Sequence, residues 1–530
     1  MADTKREIER KYEGPAADGD TGMPDLSGVP GVAGVVDKGV AELDATYFDT
    51  PDQRLAAASL TLRRRTGGDD AGWHLKLPVS EGVRDEIQAP LSDTVPRAIA
   101  GLVRSRVRDA ELVPLVRLRS ARDIRHLVDD SGALLAEVSL DRVRADRLGG
   151  GKGSAEWTEL EVELADDGDP AFLDKVEKKL RKAGLSRSAS SSKLAKALGV
   201  TGERAGKPGG KHAGKPVSEK SVSGKPVPAR TVPARPAPEE PVTAGDHVLA
   251  YLRAQYDAIV ELDPAVRRDL PDSVHSMRVA TRRMRSTFRS YGKILDRAVT
   301  DPIGDELKWL AGELGVDRDQ EVLTKRLTES LGRLPRTLLS GPVRTRLRTW
   351  AHARHGGSRR RLIAVLDGKR YMALLTRLDE LVTDPPLLKT AGGDPGKVIA
   401  KAVRKDFGKV SDLVVQALDR PPGADRDHAM HEARKKAKRT RYAAEAASPA
   451  LGGPAAGLVK SMKSLQSLLG DHQDSVMTRD ALRELAALAH AAGESSFTYG
   501  VLYGREEQRA AAAEAALPGA WETIEAQTAV

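Results

Sequence analysis

The stretch Trp157-Thr158-Glu159-Leu160-Glu161-Val162-Glu163-Leu164 has the most regular alternation of polar and apolar residues in this chain. Successive side chains of a β-strand point to opposite faces, so the stretch predicts a strand with three glutamates on one face. A second stretch, Glu7-Ile8-Glu9-Arg10-Lys11, has the same period and places two glutamates and a lysine on one face. Both faces suit a divalent cation, because carboxylate oxygens are its usual protein ligands.

Further strands are predicted between these two stretches, and each has one charged face. Alternating segments occur at residues 46–50, 60–65, 73–77, 84–87, 113–127 and 134–143, and helices are expected at about 94–107 and 170–183. The charged faces carry Arg63 and Arg65, His74 and Lys76, Arg84 and Glu86, Arg117 and Arg119, and Glu137 and Asp141. A β-sandwich would expose these faces to water. A barrel with the charged faces inside would instead enclose an acidic wall and a basic wall, and a polar interior implies a ligand.

The distribution of charge and of proline divides the 530 residues into parts. Residues 1–200 carry 31 Lys and Arg against 35 Asp and Glu, whereas residues 246–530 carry 46 against 37. The segment between them is rich in Lys, Pro, Gly and Ser, a composition that cannot bury enough apolar surface to fold. We expect a first domain at 1–200, a flexible linker at 201–243, a second domain at 244–520 and a tail at 521–530. The basic second domain predicts a polyanionic partner.

Composition also excludes several classes of protein. The chain has no cysteine, which excludes disulfides, thiolate metal sites and a cysteine nucleophile. It has no apolar run of membrane-spanning length and begins with a charged segment, so we expect a soluble, cytoplasmic protein without a membrane partner. Aromatic residues make up only 4% of the chain. Their scarcity disfavours nucleic acid as a ligand, because single-strand binders stack bases on aromatic rings.

The second domain is predicted to be helical and contains an internal repeat. Segments 275–285 and 431–441 both begin with histidine and carry basic residues 3, 7, 8 and 10 positions later. Segments 314–319 and 469–474 follow at nearly equal spacing, which indicates a duplicated unit of about 155 residues. Positions 0, +3, +7 and +10 lie on one helix face. The first stripe is His275, Arg278, Arg282 and Arg285, and the second stripe is His431, Arg434, Lys438 and Arg441. Facing stripes would form a basic channel.

The strand motifs, in this order, resemble those of the CYTH superfamily, the triphosphate tunnel metalloenzymes, over residues 3–200. The resemblance implies an eight-stranded antiparallel barrel with helices (an α+β unit), open as a tunnel, that uses Mg²⁺ or Mn²⁺ on a triphosphate. It implies metal ligands at Glu7, Glu9, Glu159, Glu161 and Glu163, and catalytic roles for Glu7, Glu9, Lys11, Glu161 and Glu163. It implies phosphate contacts from Lys11, Arg63, Arg65, Lys76, Arg84, Arg119, Arg122 and Lys193. Glu86, Glu137 and Asp141 would complete the lining. Arg119 and Arg122 have opposite strand parity, so both point inward only if a bulge separates them.

The second half resembles the CHAD domain, an all-helical, duplicated bundle associated with inorganic polyphosphate, over about residues 244–520. The resemblance implies polyphosphate contacts from both stripes and from Arg283, Lys435 and Arg439, with His472 and Arg318 as further candidates. Asp319 and Asp474 are expected to orient basic side chains. A multidomain protein with a barrel followed by a helical bundle is therefore expected.

The two resemblances together favour an Mg²⁺- or Mn²⁺-dependent inorganic triphosphatase, a phosphohydrolase whose substrate is inorganic triphosphate or short polyphosphate. Its helical domain would bind inorganic polyphosphate, and an association with polyphosphate granules is expected. Two alternatives stay open at this point. One is a polyphosphate-binding protein without turnover. The other is a triphosphatase of an organic substrate, such as thiamine triphosphate or a nucleotide. A one-metal and a two-metal mechanism are equally compatible with the motifs.

Overall fold

The computed structural model describes residues 3–14, 22–148, 153–201, 240–355 and 358–528, and their side chains except at 3, 316–320, 354–355 and 358. The chain forms two compact units, and the division between them falls between residues 201 and 240. Most of the expected linker at 201–243 therefore lies outside the described residues. Each unit has its own hydrophobic core.

The first unit is a closed antiparallel barrel of eight strands. The strands are β1 (Asp3–Glu13), β2 (Gly34–Asp49), β3 (Thr61–Thr66), β4 (Gly72–Ser80), β5 (Val83–Ala89), β6 (Val113–Val128), β7 (Leu134–Arg147) and β8 (Ser154–Leu164). Their order around the barrel is β1-β5-β4-β3-β2-β6-β7-β8, and β8 pairs with β1 to close it. A two-residue strand, β9 (Ser186–Arg187), adds to β1. The predicted barrel is confirmed.

Helices cover the apolar outer faces of the barrel and fill one of its ends. The helices are α1 (Arg54–Ala57), α2 (Arg97–Val107), α3 (Ala171–Lys182) and α4 (Lys193–Thr201). Helix α2 packs on the outer face of β3 to β5, and α3 packs on that of β7 and β8. Helix α4 instead packs Leu194 and Ala197 against Val143 and Ala145, which share the strand parity of the inward-facing Asp141. Helix α4 therefore occupies one end of the barrel and leaves the remaining interior polar.

The second unit is helical, as predicted. Its helices are α5 (Ala244–Arg267), α6 (Ser273–Ser290), α7 (Arg297–Glu313), α8 (Gly315–Gly332), α9 (Val343–His355), α10 (Ser358–Asp367), α11 (Lys369–Thr383), α12 (Pro395–Leu418), α13 (Ala424–Leu451), α14 (Gly453–Ala491) and α15 (Phe497–Thr528). Thr243 and Asp246 form a capping box that starts α5. A large core joins α5, α6, α7, α10, α11, α12 and α13 with parts of α14 and α15. A smaller core joins α8 and α9 with other parts of α14 and α15.

The C-terminal end of the chain corrects one expected boundary. Residues 521–528, which were assigned to a tail, continue α15, and Trp521 and Ile524 are buried in the large core. Phe407 of α12 stacks on the Trp521 ring at 5.8 Å between ring centroids. Among the helices that the structure describes, none is long and apolar enough to cross a membrane.

Candidate functional site

The inward faces of the barrel strands surround a polar cavity of about 210 Å³. Its described lining contains eight basic side chains, Lys5, Lys11, Arg63, Arg65, Lys76, Arg84, Arg122 and Lys193, and seven acidic ones, Glu7, Glu9, Asp70, Glu86, Glu137, Glu161 and Glu163. The strand register explains this convergence, because β1 and β8 place Glu9 opposite Glu163 and Lys11 opposite Glu161. The barrel therefore brings most of the predicted metal- and phosphate-binding residues to one cavity.

The glutamates of β1 are buried and paired with lysines. The Nζ atom of Lys76 lies 2.6 Å from Oε2 of Glu7, and Nζ of Lys11 lies 3.2 Å from Oε1 of Glu9 and also contacts Glu161. Burial raises the pKa of Glu7 to about 7, although the Lys76 ammonium opposes the shift. Burial would also raise the pKa of Glu9, but Lys11 and Lys76 outweigh it and lower that pKa to about 2. Two neighbouring carboxyls thus differ in charge near neutral pH.

Three carboxylates of β7 and β8 form a buried trio. Ligand atoms of Asp141, Glu159 and Glu161 lie within 4.8 Å of one another. The Nζ atom of Lys193 lies 2.9, 2.8 and 2.6 Å from them, respectively. Arg122 bridges Asp141 and Glu161 at 2.7 and 2.9 Å. Glu159 belongs to this trio but not to the lining of the cavity, whereas Glu161 belongs to both.

The acidic side chains fit the divalent cation that the sequence predicts. Carboxylates of Glu7, Glu9, Glu161 and Glu163 reach the same cavity, and such oxygens are the donors that Mg²⁺ and Mn²⁺ prefer. Oε2 of Glu7 is buried and makes no hydrogen bond of good geometry with any group in the described ranges. It faces the Lys76 ammonium group at 2.6 Å, so this carboxylate oxygen already lies beside a positive charge. These four residues would hold the metal.

The basic wall concentrates positive charge beside these acids. Burial lowers the pKa of Arg65 to about 9, and the neighbouring Arg63 and Arg122 contribute to the shift. Arg65 contacts Asp70, and Nη2 of Arg63 lies 3.5 Å from Oε1 of Glu86. Repulsion among these guanidinium groups favours the binding of an anion between them.

His74 is buried and positions Glu86. Its Nδ1 lies 2.9 Å from Oε1 of Glu86, and its Nε2 lies 2.9 Å from the carbonyl oxygen of Asp70. Burial lowers the pKa of His74, although its contact with Glu86 opposes the shift. Both ring nitrogens are therefore engaged within the barrel wall.

Arg119 lies on the outer face of β6, and its expected role is corrected. Its guanidinium is half exposed and donates to Asp146 at 2.5 Å. Arg117 has the same parity and pairs with Asp44 on the outside. The pairing of β6 with β7 is continuous from Arg117 to Arg122, so no bulge brings Arg119 inward. Arg122, of the opposite parity, lines the cavity.

Several lining residues escaped prediction. Lys5, Tyr47, Thr61, Asp70, Gln88 and Ser192 all line the cavity. Lys5 shares the parity of Glu7, so extension of the β1 alternation by two residues would have found it. Asp70 and Ser192 lie outside the strands, where strand parity carries no information.

In the helical unit, the two predicted stripes meet where α6 and α13 pack together. Burial lowers the pKa of Lys438. The positive charges of four arginines, in the order Arg282, Arg434, Arg441 and Arg278, lower it further, to about 7. We call these five residues the basic cluster. The charges of these four guanidinium groups add to the effect of burial, so all four lie near the Lys438 ammonium group. The cluster contains members of both stripes, so the stripes face each other as predicted.

The two repeats position equivalent arginines in the same way. A Cβ atom at Gly315 would lie 2.8 Å from Nη2 of Arg278, and one at Gly470 would lie 3.3 Å from Nη2 of Arg434. Each guanidinium therefore packs on a helical glycine of the second motif of its own repeat. This shared geometry supports the predicted duplication.

The stripe histidines and Arg285 lie at the edges of the cluster. His275 is exposed, and Nδ1 of His431 lies 2.7 Å from Oε1 of Gln473. Burial lowers the pKa of Arg285, and the neighbouring Arg289 adds to the shift.

Three other predicted cations point away from the cluster towards acids. Nε of Arg283 lies 3.0 Å from Oε2 of Glu445, and Nε of Arg439 lies 3.0 Å from Oδ2 of Asp406. Nζ of Lys435 lies 2.6 Å from Oε1 of Glu432. Their position on the helix, 80–120° away from the stripe, explains this difference.

Of the remaining candidate residues of the helical unit, Asp474 faces a cation and His472 faces two acids. Oδ2 of Asp474 lies 3.9 Å from Nη1 of Arg326, and burial raises the pKa of Asp474. His472 faces Asp427 and Glu514. The side chains of Arg318 and Asp319 lie outside the described residues.

Comparison with known proteins agrees with this architecture. The profile of the CYTH domain matches residues 5–198, and that of the CHAD domain matches residues 250–483. Uncharacterized proteins from two strains of Mycobacterium tuberculosis, CDC 1551 and H37Rv, are each 36% identical to the chain over 515 residues. The match covers 94% of this chain and 92% of each relative. The chain belongs to the CYTH–CHAD family.

Solved structures similar to this CYTH–CHAD protein cover parts of it. PptA from Streptomyces chartreusis is 22% identical with a TM-score of 0.45, and the match covers 53% of this chain and all of PptA. The CHAD domain from the plant Ricinus communis is 22% identical with a TM-score of 0.41, over 55% of this chain and 93% of that domain. CYTH domains include tunnel-type phosphohydrolases and cyclases, and CHAD domains are associated with polyphosphate. Family membership therefore supports a role in triphosphate or polyphosphate chemistry.

Proposed function

We propose that this CYTH–CHAD protein is an Mg²⁺- or Mn²⁺-dependent triphosphatase that hydrolyses inorganic triphosphate or short polyphosphate. Its helical unit binds longer polyphosphate, in the cytoplasm and at polyphosphate granules. The shared cavity of the barrel carries the proposal, because carboxylates suited to a metal lie beside arginines and lysines suited to phosphate.

The charge of the cavity supports joint binding of metal and substrate. The described lining contains eight basic and seven acidic side chains, whose formal charges nearly cancel. A polyanion gains little from such a cavity until further positive charge arrives, and a divalent cation supplies it. Phosphate oxygens would then compete with the glutamates for Lys11 and Lys76, and the released carboxylates would be free to hold the metal.

The residues of the basic wall bind and orient the substrate. Arg63 and Arg65 offer several donors to phosphate oxygens, and Lys76 offers a compact charge. The bound metal would neutralise phosphate charge and stabilise the charge that develops in the transition state. Attack of water on the terminal phosphorus breaks one P–O–P bond and releases orthophosphate and the shortened chain. The same cations stabilise negative charge on the leaving oxygen.

The size and lining of the cavity favour an inorganic substrate over thiamine triphosphate or a nucleotide. Its volume of about 210 Å³ lies below the roughly 300–1,000 Å³ of pockets that enclose drug-sized organic ligands. Tyr47 is the single aromatic side chain in the part of the lining that the structure describes. An organic group would therefore have to remain outside the cavity.

Release of orthophosphate from inorganic triphosphate by the full-length protein tests the catalytic proposal. Activity should require Mg²⁺ or Mn²⁺ and disappear with excess chelator. Glu9→Gln should lower kcat by at least about 100-fold, in the range seen when a group that supports transition-state charge is lost. Arg119→Ala, a cation on the outer face, is the matched control and should leave kcat and KM unchanged. If the wild-type protein releases no orthophosphate with either metal, the catalytic proposal is wrong, and polyphosphate binding without turnover becomes the favoured function.

A second pair of variants separates the two units. Arg282→Glu combined with Lys438→Glu reverses charge in the basic cluster and should abolish binding of long polyphosphate, while triphosphate turnover persists. Lys435→Glu, at an exposed position outside the cluster, is the control. Binding should weaken steeply with salt, as for any polyanion held by several cations. Loss of both properties in both Glu9→Gln and the double variant would contradict the two-site arrangement.

A further inference from the structure

Three helices of the second unit meet at His472, outside the basic cluster. His472 lies in the middle of α14, Asp427 in the first turn of α13 and Glu514 in α15. His472 is 1% exposed. Its Nε2 lies 3.2 Å from Oδ1 of Asp427 and 3.4 Å from Oε1 of Glu514. One imidazole nitrogen and two carboxylate oxygens thus converge in a buried position.

The geometry differs from that of a hydrogen-bonded histidine. Within the described ranges, Nε2 of His472 has no hydrogen-bond partner, so the two carboxylate oxygens flank the nitrogen without lying along its N–H direction. Zinc binds nitrogen and oxygen ligands at about 2.0–2.2 Å, which puts tetrahedral ligands ~3.4 Å apart. The observed separations of 3.2 and 3.4 Å match this value, and all three ligand atoms lie within 4.8 Å of one another.

The outer oxygens of both carboxylates face arginines. Oε2 of Glu514 lies 3.4 Å from Nε of Arg426, and Oδ2 of Asp427 lies 4.0 Å from Nη2 of Arg479. Each carboxylate therefore directs one oxygen to a guanidinium and the other towards His472. Carboxylates that ligate metals are commonly oriented by such outer partners.

We propose that Asp427, His472 and Glu514 form a binding site for a divalent transition-metal ion of the zinc class, separate from the acids of the barrel. One nitrogen and two oxygen donors suit zinc, with one position left for water, whereas Mg²⁺ prefers oxygen ligands alone. The ion joins the start of α13 to α14 and α15. Because α13 also carries Lys438, the metal stabilises a helix that contributes to the basic cluster.

Zinc binding to the full-length protein tests the site, with a chromophoric chelator as competitor and excess Mg²⁺ present to occupy the barrel acids. Wild-type protein should bind one equivalent of Zn²⁺ that both His472→Ala and Asp427→Asn lose. The control is Glu507→Gln, because Glu507 lies 3.9 Å from Nη1 of Arg479 and outside the trio. Equal zinc binding by the wild type and both trio variants would overturn the proposal and leave His472 as a structural residue.

A second measurement serves if the variants fail to fold. The X-ray absorption spectrum of the wild-type zinc complex, again in excess Mg²⁺, should show one imidazole nitrogen among oxygen ligands. Zinc should also raise the unfolding temperature of the helical unit, because a ligand that binds only the folded state stabilises it. A spectrum without imidazole scattering would contradict the site.

Discussion

Nζ of Lys193 lies 2.6 Å from Oε1 of Glu161, where helix α4 enters the end of the barrel. The same ammonium group contacts Asp141 and Glu159 at 2.9 and 2.8 Å. All three carboxylates are buried. One cation from the C-terminal end of the unit therefore compensates charge on two strands, which couples the docking of α4 to the stability of the barrel interior.

Lys193→Met should destabilise the barrel because it removes a cation that contacts all three buried carboxylates, and Arg122 compensates only Asp141 and Glu161 among them. Removal of one member of a buried ion pair costs about 3–5 kcal/mol, and urea unfolding at neutral pH in a chelator measures it. Lys196→Met is the matched control on α4, since Lys196 pairs with the partly exposed Glu13 and should cost about 1 kcal/mol or less. Equal losses in the two variants would show that Lys193 does not compensate the trio.

Glu7 should give the metal-free barrel a pH-dependent stability. The pKa of Glu7 is about 7 in the folded state against an ordinary value of 4.5, so between these values the folded protein holds a proton that the unfolded chain has lost. Stability therefore falls as pH rises, by about 1.4 kcal/mol per pH unit from this group. The Glu7→Gln variant should lack this dependence of stability on pH, because glutamine does not titrate.

Urea unfolding of the wild type and Glu7→Gln from pH 5 to 8, in a chelator, measures the difference. The variant should gain stability relative to the wild type as pH rises to about 7 and no further. Glu156→Gln is the control, because that side chain is 71% exposed on the outer strand face. Parallel curves for wild type and Glu7→Gln would contradict the prediction.

Strand parity accounts for what the sequence could predict about the cavity and for what it could not. Alternation identified the two acidic strands, and the register then brought Glu9 and Glu163 together. The alternation of β6 and the family resemblance both placed Arg119 on an inward, charged face, whereas the continuous β6–β7 register puts it outside. Asp70 enters the cavity from a turn, where no periodic pattern exists.

Helical periodicity likewise predicted some features of the helical unit and missed others. It identified both stripes, because residues on one helix face follow from geometry alone. It could not show that Arg283 and Arg439 point to acids on other segments, since Glu445 and Asp406 are remote in sequence. Packing between helices decides such pairs, and no local pattern records it.

Lys438 should take up a proton when polyphosphate binds. Its pKa of about 7 leaves it largely neutral at pH 8 in the free protein, and a polyanion stabilises the charged form. Calorimetry at pH 8 in two buffers of different ionisation enthalpy should detect this uptake. Lys438→Arg should bind without it, because arginine stays charged. Lys435→Arg, outside the cluster, should retain the wild-type uptake, and uptake that persists in Lys438→Arg would assign the proton to another group.

Gly315 should be required for the position of Arg278. A Cβ atom there would lie 2.8 Å from Nη2 and 3.0 Å from Cζ of Arg278. Because a guanidinium on a flexible side chain can move aside, Gly315→Ala should leave stability nearly unchanged and weaken polyphosphate binding by about tenfold, the scale of one charge-assisted hydrogen bond. Gly470→Ala should weaken binding less, because a Cβ atom there would lie 3.3 Å from Nη2 of Arg434.

Gly312→Ala is the control, since a Cβ atom there meets no described atom within 4 Å. Binding isotherms for the three variants should therefore rank Gly315→Ala as weakest and Gly312→Ala as equal to wild type, and a different order would mean that the glycines do not position these arginines.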